Sequence, residues 1–432
     1  MSVEEDILNS HGVYVEDDQL KPPQGVGHWP ELPEAALHGL AGDIVRTVLP
    51  HTEADPAALL LSVLAGTAAM VGDKPHIWVG GVKHGARVWP LVIGRTAGGM
   101  KGTSWAEIKH ILRQVDPMFF HDHVKGGLSS AEGLLSAVRD ESGDPEDEKH
   151  YDPGVTDKRL LIVETEFASV LAQGKRDGNT LLPTIRAAWD GGTLSNLTVN
   201  PRIATDPHIV IIGHITPTEL RSKLADTERA GGTANRFLPV LSRRSKLLPS
   251  GGNLDHRDVE RLAQRVAKAV AWGRDVGAMR RNAAAEEYWD ALYRRLAAEE
   301  DGIGEHPVGE IIARGRPQLL RLSVMYALLD ESAVIDVKHI RAAEAVWSYV
   351  VDSAWHVFAE NPDLNRLKLF VMNAGPDGVS RSVISTKCFK GKRKADQLDE
   401  LLDELVKSDA FEAVTRDTPG RKATVYRAKK AK

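Results

Sequence analysis

Lys101, with Thr103 and Ser104 just beyond it, closes the run Gly94-Arg-Thr-Ala-Gly-Gly-Met-Lys-Gly-Thr-Ser104. A glycine-rich backbone can curl until successive N–H groups face one anion. A helix that starts where the curl ends adds the partial positive charge of its N-terminus. Lysine at that point reaches terminal phosphates, and a neighbouring hydroxyl ligates Mg²⁺. Gly94, Thr96, Gly98, Gly99, Lys101, Gly102, Thr103 and Ser104 are the residues this chemistry would use. The common loop reads G-x-x-x-x-G-K-[ST]. Gly94 and Gly99 keep its spacing, but Met100 precedes Lys101 and Gly102 follows it. A flexible strand-to-helix turn with a solvated lysine is the competing interpretation.

Carboxylates form the second constellation. Arg159-Leu-Leu-Ile-Val-Glu164-Thr-Glu166 is an apolar run that ends in two acids. One of Glu164 and Glu166 can hold the water shell of Mg²⁺, and the other can orient or deprotonate attacking water. A strand ending in a solvated turn would look the same. His208-Ile-Val-Ile-Ile-Gly-His214 ends in a histidine that either senses a terminal phosphate or is hydrogen-bonded within the sheet rim. Arg236, in Ala230-Gly-Gly-Thr-Ala-Asn-Arg236-Phe-Leu-Pro-Val-Leu241, carries a permanent, forked charge suited to phosphate oxygens. Arg243 and Arg244 share that property. The alternative for Arg236 is a buried ion pair that caps the sheet.

Two further groups are weaker. His121-Asp-His123 offers metal ligands, but its spacing puts both rings on one face only in a strand, and no third ligand is near in sequence. The C-terminal segment is basic: residues 365–432 hold 16 Lys+Arg and 9 Asp+Glu, a balance of +7. The whole chain carries −5, so the remainder carries −12. A basic tail on an acidic body points to a polyanionic partner, nucleic acid first. Lys390, Lys392, Arg393, Lys394, Arg421 and Lys422 are the candidate contacts. A solvated terminus is the alternative.

These residues need elements to hold them. Trp89–Gly94, Arg159–Glu164 and His208–Gly213 are apolar runs that read as buried strands of a parallel sheet, whose ligands gather at the carboxyl ends. His76–Gly80 is a fourth strand candidate. Trp105, Ile108 and Leu112 give the segment after the glycine loop a helical period. Pro33–Leu49 and Asp55–Val71 read as helices, the second apolar nearly all round, with Asp55 capping it and Pro56 in the first turn. Leu128–Arg139 reads as a helix capped at Ser129, and Gly178–Asp190 as another. Residues 140–157 are acidic, poor in apolar side chains and read as a mobile loop. Long amphipathic helices follow at 255–274, 283–300, 316–330 and 337–358, with Trp347, Tyr349, Trp355 and Phe358 as core residues. The last 70 residues read as helix, short helix at 379–385, helix at 395–408 and a basic-tipped hairpin, the pattern of a winged helix-turn-helix.

Composition closes off several classes. The chain has 432 residues, 42% of them hydrophobic and 27% charged, as in an ordinary soluble protein. Cys388 is its one cysteine, which excludes an internal disulfide and fits a reducing cytoplasm. The N-terminal stretch is acidic, without the apolar core of a signal peptide, and no run spans a bilayer.

The chain resembles the RecA-like ATPase part of phage- and plasmid-type primase-helicases over roughly Pro33–Phe358. The resemblance rests on the glycine loop, on Arg159–Phe167, on Ile211-Ile-Gly-His-Ile-Thr-Pro-Thr-Glu-Leu220 and on Ala234-Asn-Arg-Phe-Leu238. It implies an α/β fold with a RecA-like P-loop core, flanking helical regions and a C-terminal winged helix. It implies ATP with Mg²⁺, a hexamer-like ring of identical subunits, single-stranded or forked DNA, and a separate primase as a further partner; no primase domain is recognisable here. Lys101 would be the phosphate lysine, Thr103 the metal hydroxyl, Glu164 the strand-end acid, Glu166 the base and Arg236 an arginine finger. The two acids could exchange roles. The expected layout is an arm at 1–31, a core with helical lead-in at 32–250, a helical region at 251–362 and the winged helix at 363–432. The expected activity is that of a helicase-like replication protein. A DNA-binding regulator or assembly protein whose nucleotide site only binds or switches is the other class.

Overall fold

The computed structural model describes residues 29–429, apart from 148, 177, 197–200, 225–230, 304–306, 359–361, 377, 390–392, 408–409 and 419–420. The expected arm at 1–31 therefore lies almost wholly outside the described residues. Backbone contacts divide the chain into a large unit, Pro30–Ala359, and a C-terminal unit that runs from Glu360.

The large unit is α/β and is built on a five-stranded sheet. Its strands are β1 (Pro90–Ile93), β2 (Val124–Lys125), β3 (Arg159–Glu164), β4 (His208–Ile215) and β5 (Leu238–Leu241). All neighbours are parallel, in the order β2-β3-β4-β1-β5. Both β1 and β4 are buried along their whole length, as a sheet covered on both faces requires. The first cover is helix α1 (Pro56–Val71). Its Asp55 cap accepts the Ala57 N–H at 2.9 Å, and every residue from Ala57 to Val71 is buried. Helix α2 (Lys101–Val115) packs on α1. Helices α3 (Phe167–Gly174) and α4 (Leu181–Asp190) cover the other face.

Strand β4 shows which face is which. The His208 ring reaches the Ala68 carbonyl of α1 at 2.9 Å. Gly213, five residues on, points the opposite way. A Cβ there would lie 2.8 Å from the Phe167 ring of α3, so only glycine admits this approach.

Residues 251–362 do not form a separate domain. Their helices, His256–Gly273, Ala283–Ile303, Pro307–Ile312, Gly315–Leu329 and Val337–Phe358, belong to the same compact unit as the sheet. Between them run two unforeseen strands, Ala278–Arg281 and Val334–Ile335. These join His76–Val79 and Val82–Gly85 in a second, four-stranded sheet. Other expectations shift. The helix expected over 33–49 is a short turn, Glu34–Ala36, and then a helix, Gly39–Val48. The helix expected from Leu128 covers only Ala131–Ser136, and Ser130 rather than Ser129 caps it by accepting the Gly133 N–H. The acidic segment 140–157 is pinned, not loose: Arg139 clamps Asp152, and Ser142 pairs with Asp152.

The C-terminal unit contains a helix (Pro362–Asn373), a two-residue strand (Val379–Ser380), helical turns over Arg381–Cys388, helix α5 (Ala395–Lys407) and a hairpin of Phe411–Thr418 with Arg421–Ala428. The strand replaces the start of the short helix expected at 379–385. It pairs with Arg421–Ala428 to make a three-stranded sheet. Cys388 is buried. Among the described residues no helix is long and apolar enough to cross a membrane.

Candidate nucleotide site

The glycine run is a loop that links the end of β1 to the start of α2. Gly94 donates its N–H to Ile215 at the end of β4. The Gly98 and Gly99 N–H groups turn back onto Thr96 and Arg95. Gly99 is required by space: a Cβ would sit 2.7 Å from the Arg95 carbonyl oxygen and from Gly94 backbone atoms. The left-handed backbone falls instead on Ala97 (φ 57°) and Met100 (φ 48°). Such a conformation costs an L-residue about 1–2 kcal/mol. Met100, the inserted residue, is the N-cap of α2 and gives it no capping side chain. The first-turn N–H groups, which no helical carbonyl can reach, are therefore open at the loop.

The loop is braced from behind by the chain that leaves β5. Ser242 Oγ donates to the Gly99 carbonyl at 2.5 Å, and the Arg244 N–H donates to Gly98 at 3.0 Å. Arg243 donates its N–H to Asp55, the cap of α1, at 3.1 Å. Burial pushes the Asp55 carboxyl up to about 6, against the pull of the Arg243 and Ala57 N–H groups. The Arg243 and Arg244 side chains are exposed, and Arg244 pairs with Glu53 at 3.1 Å.

Lys101 folds over the loop and donates to the Gly94 carbonyl at 2.6 Å. Burial lowers its pKa, and the Glu219 carboxylate opposes that shift. Glu219 was not among the expected site residues. It closes a capping box with Thr216, directly after β4, and the T-P-T-E pattern is the signal that marks it. His214 shares the Lys101 side of the sheet, because it lies six residues from His208. It is 2% exposed and its Nε2 has no hydrogen-bond partner. Burial, then the Lys101 charge, pushes its pKa down to about 4, so the ring is neutral near pH 7. The two hydroxyls differ. Ser104 is buried and donates to the Met100 carbonyl at 2.9 Å, whereas Thr103 touches only the Met100 sulfur at 3.6 Å. Thr103 is the one suited to a metal.

The acids divide. Glu164 pairs in register with Gly213, and Gly213 with Leu91. Its side chain thus starts on the α3 face, opposite His214, and its Oε1 accepts the Leu128 N–H at 2.6 Å. Glu166 is exposed, at the N-cap of α3, and makes no capping bond.

Arg236 is where the structure departs furthest from expectation. It is 6% exposed. Nη2 meets Asp190 at 2.6 Å, Nη1 donates to Gly232 at 2.6 Å and Nε donates to Arg186 at 3.2 Å. Its guanidinium also lies 5.8 Å from the Trp189 ring centroid. The fork is thus committed to α4 through Asp190 and Arg186 and to its own loop through Gly232, so Arg236 is ion-paired with an exposed carboxylate here rather than projecting as a finger.

The remaining candidates scatter. His121 pairs with Asp122 at 2.6 Å, while His123 stacks on Phe119 and faces Asp157 at 3.5 Å, so the two rings share no site. Among the described residues one other cluster could hold a metal: His38, Asp330 and His339. There His339 Nδ1 accepts the Asp336 N–H, which leaves its proton on Nε2, facing Asp330. Lys338 also donates to that same carboxylate oxygen at 2.7 Å. The cluster is a hydrogen-bonded staple, not a cation cage. Of the basic candidates, Lys390 and Lys392 lie outside the described residues. Arg393 is ion-paired with Asp363, and Lys394 is exposed. Arg421 and Lys422 open the second hairpin strand, opposite Thr418 and Asp417.

Compared with known proteins, the chain matches no protein-family model and no curated sequence.

Proposed function

We propose that this protein is a Mg²⁺-dependent, ATP-hydrolysing motor on DNA, with a RecA-like P-loop core and a C-terminal winged helix, and that it serves replication as a helicase-like protein of phage or plasmid type. One observation carries the reading: the uncapped N-terminus of α2 opens onto a glycine loop beside Lys101 and the orphaned, neutral His214 Nε2. That set of donors fits a polyphosphate. Lys101 is the group to neutralise charge that develops on the terminal phosphate, and His214 can donate to a phosphate oxygen without bringing a second cation. Glu166, exposed at the carboxyl end of β3, is the better-placed base: it takes the proton of water as the water oxygen bonds to phosphorus and the bond to the departing diphosphate breaks. Mg²⁺, held through Thr103, would shield the phosphate oxygens. Assembly into a ring of identical subunits belongs to the same proposal.

The test is ATP turnover by the full chain, with and without single-stranded DNA, for the parent and for Lys101→Ala. The variant should lose on the order of 10² in turnover or more, and DNA should stimulate the parent. Turnover in Lys101→Ala close to that of the parent would sink the loop assignment.

A second reading has one observation in its favour. Arg236 is tied to Asp190, so this position supplies no finger to a neighbour. A site that binds nucleotide and switches, in a DNA-binding regulator or assembly protein, needs no finger. It predicts nucleotide binding without DNA-stimulated turnover.

A further inference from the structure

The second sheet has one covered face and one open face, and side chains along its strands alternate between the two. Ile77 is paired in register with His84 on the edge strand and with Met279 on the other side, and all three are buried. The helix Gly315–Leu329 packs on this face: burial, then the charge of its Arg321, lowers the pKa of His84. Arg281, two residues beyond Met279, shares the face and donates to Glu286 of the helix Ala283–Ile303 at 2.9 Å. The alternate residues point away from both helices.

On that open face Trp78 stands 52% exposed. Directly opposite it on the edge strand is Lys83. On its other flank comes Arg280, because Ala278–Arg281 runs parallel to His76–Val79 with His76 beside Ala278 and Ile77 beside Met279. Neighbouring strands lie about 4.8 Å apart, so both cations are within reach of anything that lies on the indole. Arg280 is exposed and has no ion pair among the described residues. Lys83 is paired with Asp73, and Lys74 with Asp275 at 3.6 Å. The His76 ring meets the indole edge-on, with centroids 5.3 Å apart, and is itself held by the Lys74 carbonyl at 2.7 Å. The hairpin ends in Gly80-Gly81, where an added Cβ would meet nothing within 4 Å. It leads into the amino end of β1, whereas the glycine loop leaves the carboxyl end.

An exposed aromatic face with a cation on each flank suits a strand whose bases are free to stack and whose phosphates pass alongside. We propose that Trp78 is a stacking platform for a base of single-stranded nucleic acid, with Arg280 and Lys83 beside the neighbouring phosphates. This rests on the reading of the protein as a DNA motor and adds the surface on which the strand lies. The test uses the full chain and two labelled strands of equal length, a thymidine oligonucleotide and one made of abasic sites, titrated by fluorescence anisotropy over a range of salt. The parent should bind the thymidine strand more tightly than the abasic one. Trp78→Leu, which stays apolar but loses the aromatic face, should weaken thymidine-strand binding on the order of tenfold and leave the abasic strand unchanged. Trp78→Phe should keep most of the preference. Arg280→Ala should weaken both strands and reduce the salt slope by about 0.7, one phosphate on a single strand. Melting curves matching the parent show that each variant is folded. A parent without the base preference, a Trp78→Leu variant that retains it or that loses both strands equally, or a Trp78→Phe variant as weak as Trp78→Leu overturns this inference alone, and so does an Arg280→Ala variant with the parent's slope. A parent that binds neither strand overturns the DNA reading as well, while the Lys101 turnover test still stands or falls by itself.

Discussion

Arg236 and Asp190 are 46 residues apart in the chain and 2.6 Å apart in space. The sequence shows an arginine after a glycine pair, and both the finger and the buried pair follow from that. What decides between them is Asp190 together with the Gly232 and Arg186 carbonyls, which only the folded sheet brings there. Arg236→Ala leaves the Gly232 and Arg186 carbonyls without their donor, while the exposed Asp190 keeps Arg314 at 3.3 Å, so the change should cost about 1–3 kcal/mol, read as a fall in melting temperature. Mixing this variant with Lys101→Ala should restore no turnover. Recovery of activity in the mixture would show that Arg236 leaves its pocket and acts across a subunit boundary. Lys101 is the contrasting case: its position, where the glycine loop ends and α2 begins, follows from neighbours within the same eleven-residue run, and so it was legible.

Elements were legible where one signal dominated. β3 and β4 are uninterrupted runs of Leu, Ile and Val, and α1 opens with Asp-Pro. Ala278-Met-Arg-Arg281 was not legible, because two arginines in four residues read as solvent-facing. It is a strand only through its pairing with His76–Val79, far earlier in the chain. The loop sits between these cases. Its glycines announced a turn, but the left-handed residues are Ala97 and Met100, while Gly99 serves as a point of contact between backbone strands. Gly99→Ala should therefore disturb the loop itself. Its Cβ meets backbone rather than a side chain that can swing aside. The expected cost is about 1–3 kcal/mol in a melting experiment, with weakened nucleotide binding. A variant that melts and binds nucleotide like the parent would show that the loop rearranges freely.

At the scale of the molecule, buried histidines set the response to acid. Burial pushes His214 and His84 each down to about 4, and lowers His208 too. A ring kept neutral in the folded state and free to protonate near 6.5 when unfolded favours folding fully above pH 6.5. That contribution falls away as the pH drops from 6.5 towards 4. Asp55 runs the other way: with its folded value raised to about 6, it weakens the fold as pH rises from about 4 through 6. Three histidines oppose one aspartate, so the melting temperature should fall as pH drops through this window. His214→Gln should flatten the fall by up to about 3 kcal/mol. An unchanged pH profile would mean that His214 is solvated in solution. The continuity of the chain across residue 251 was invisible from sequence for a reason of the same scale: a run of helices looks like a domain until two short strands among them are seen to complete a sheet begun near residue 76.

Asp396, Asp399, Glu400, Asp403 and Glu404 stand exposed on α5, in a segment, residues 365–432, whose balance is +7; all its cations but Lys407 lie outside that helix, so the charge of the C-terminal unit is unevenly spread. Near a polyanion such a body is turned by the field before any contact forms, since one end is drawn in while the other is pushed out. More encounters then begin in a productive orientation, and salt removes that bias over the Debye length, about 10 Å at 0.1 M. Charge separated in this way acts on the rate of arrival more than on the lifetime of the complex. Neutralising Asp396 and Glu404 on α5 removes repulsion and raises the net positive charge of the unit, so association with a polyanion at low salt should quicken while dissociation stays unchanged.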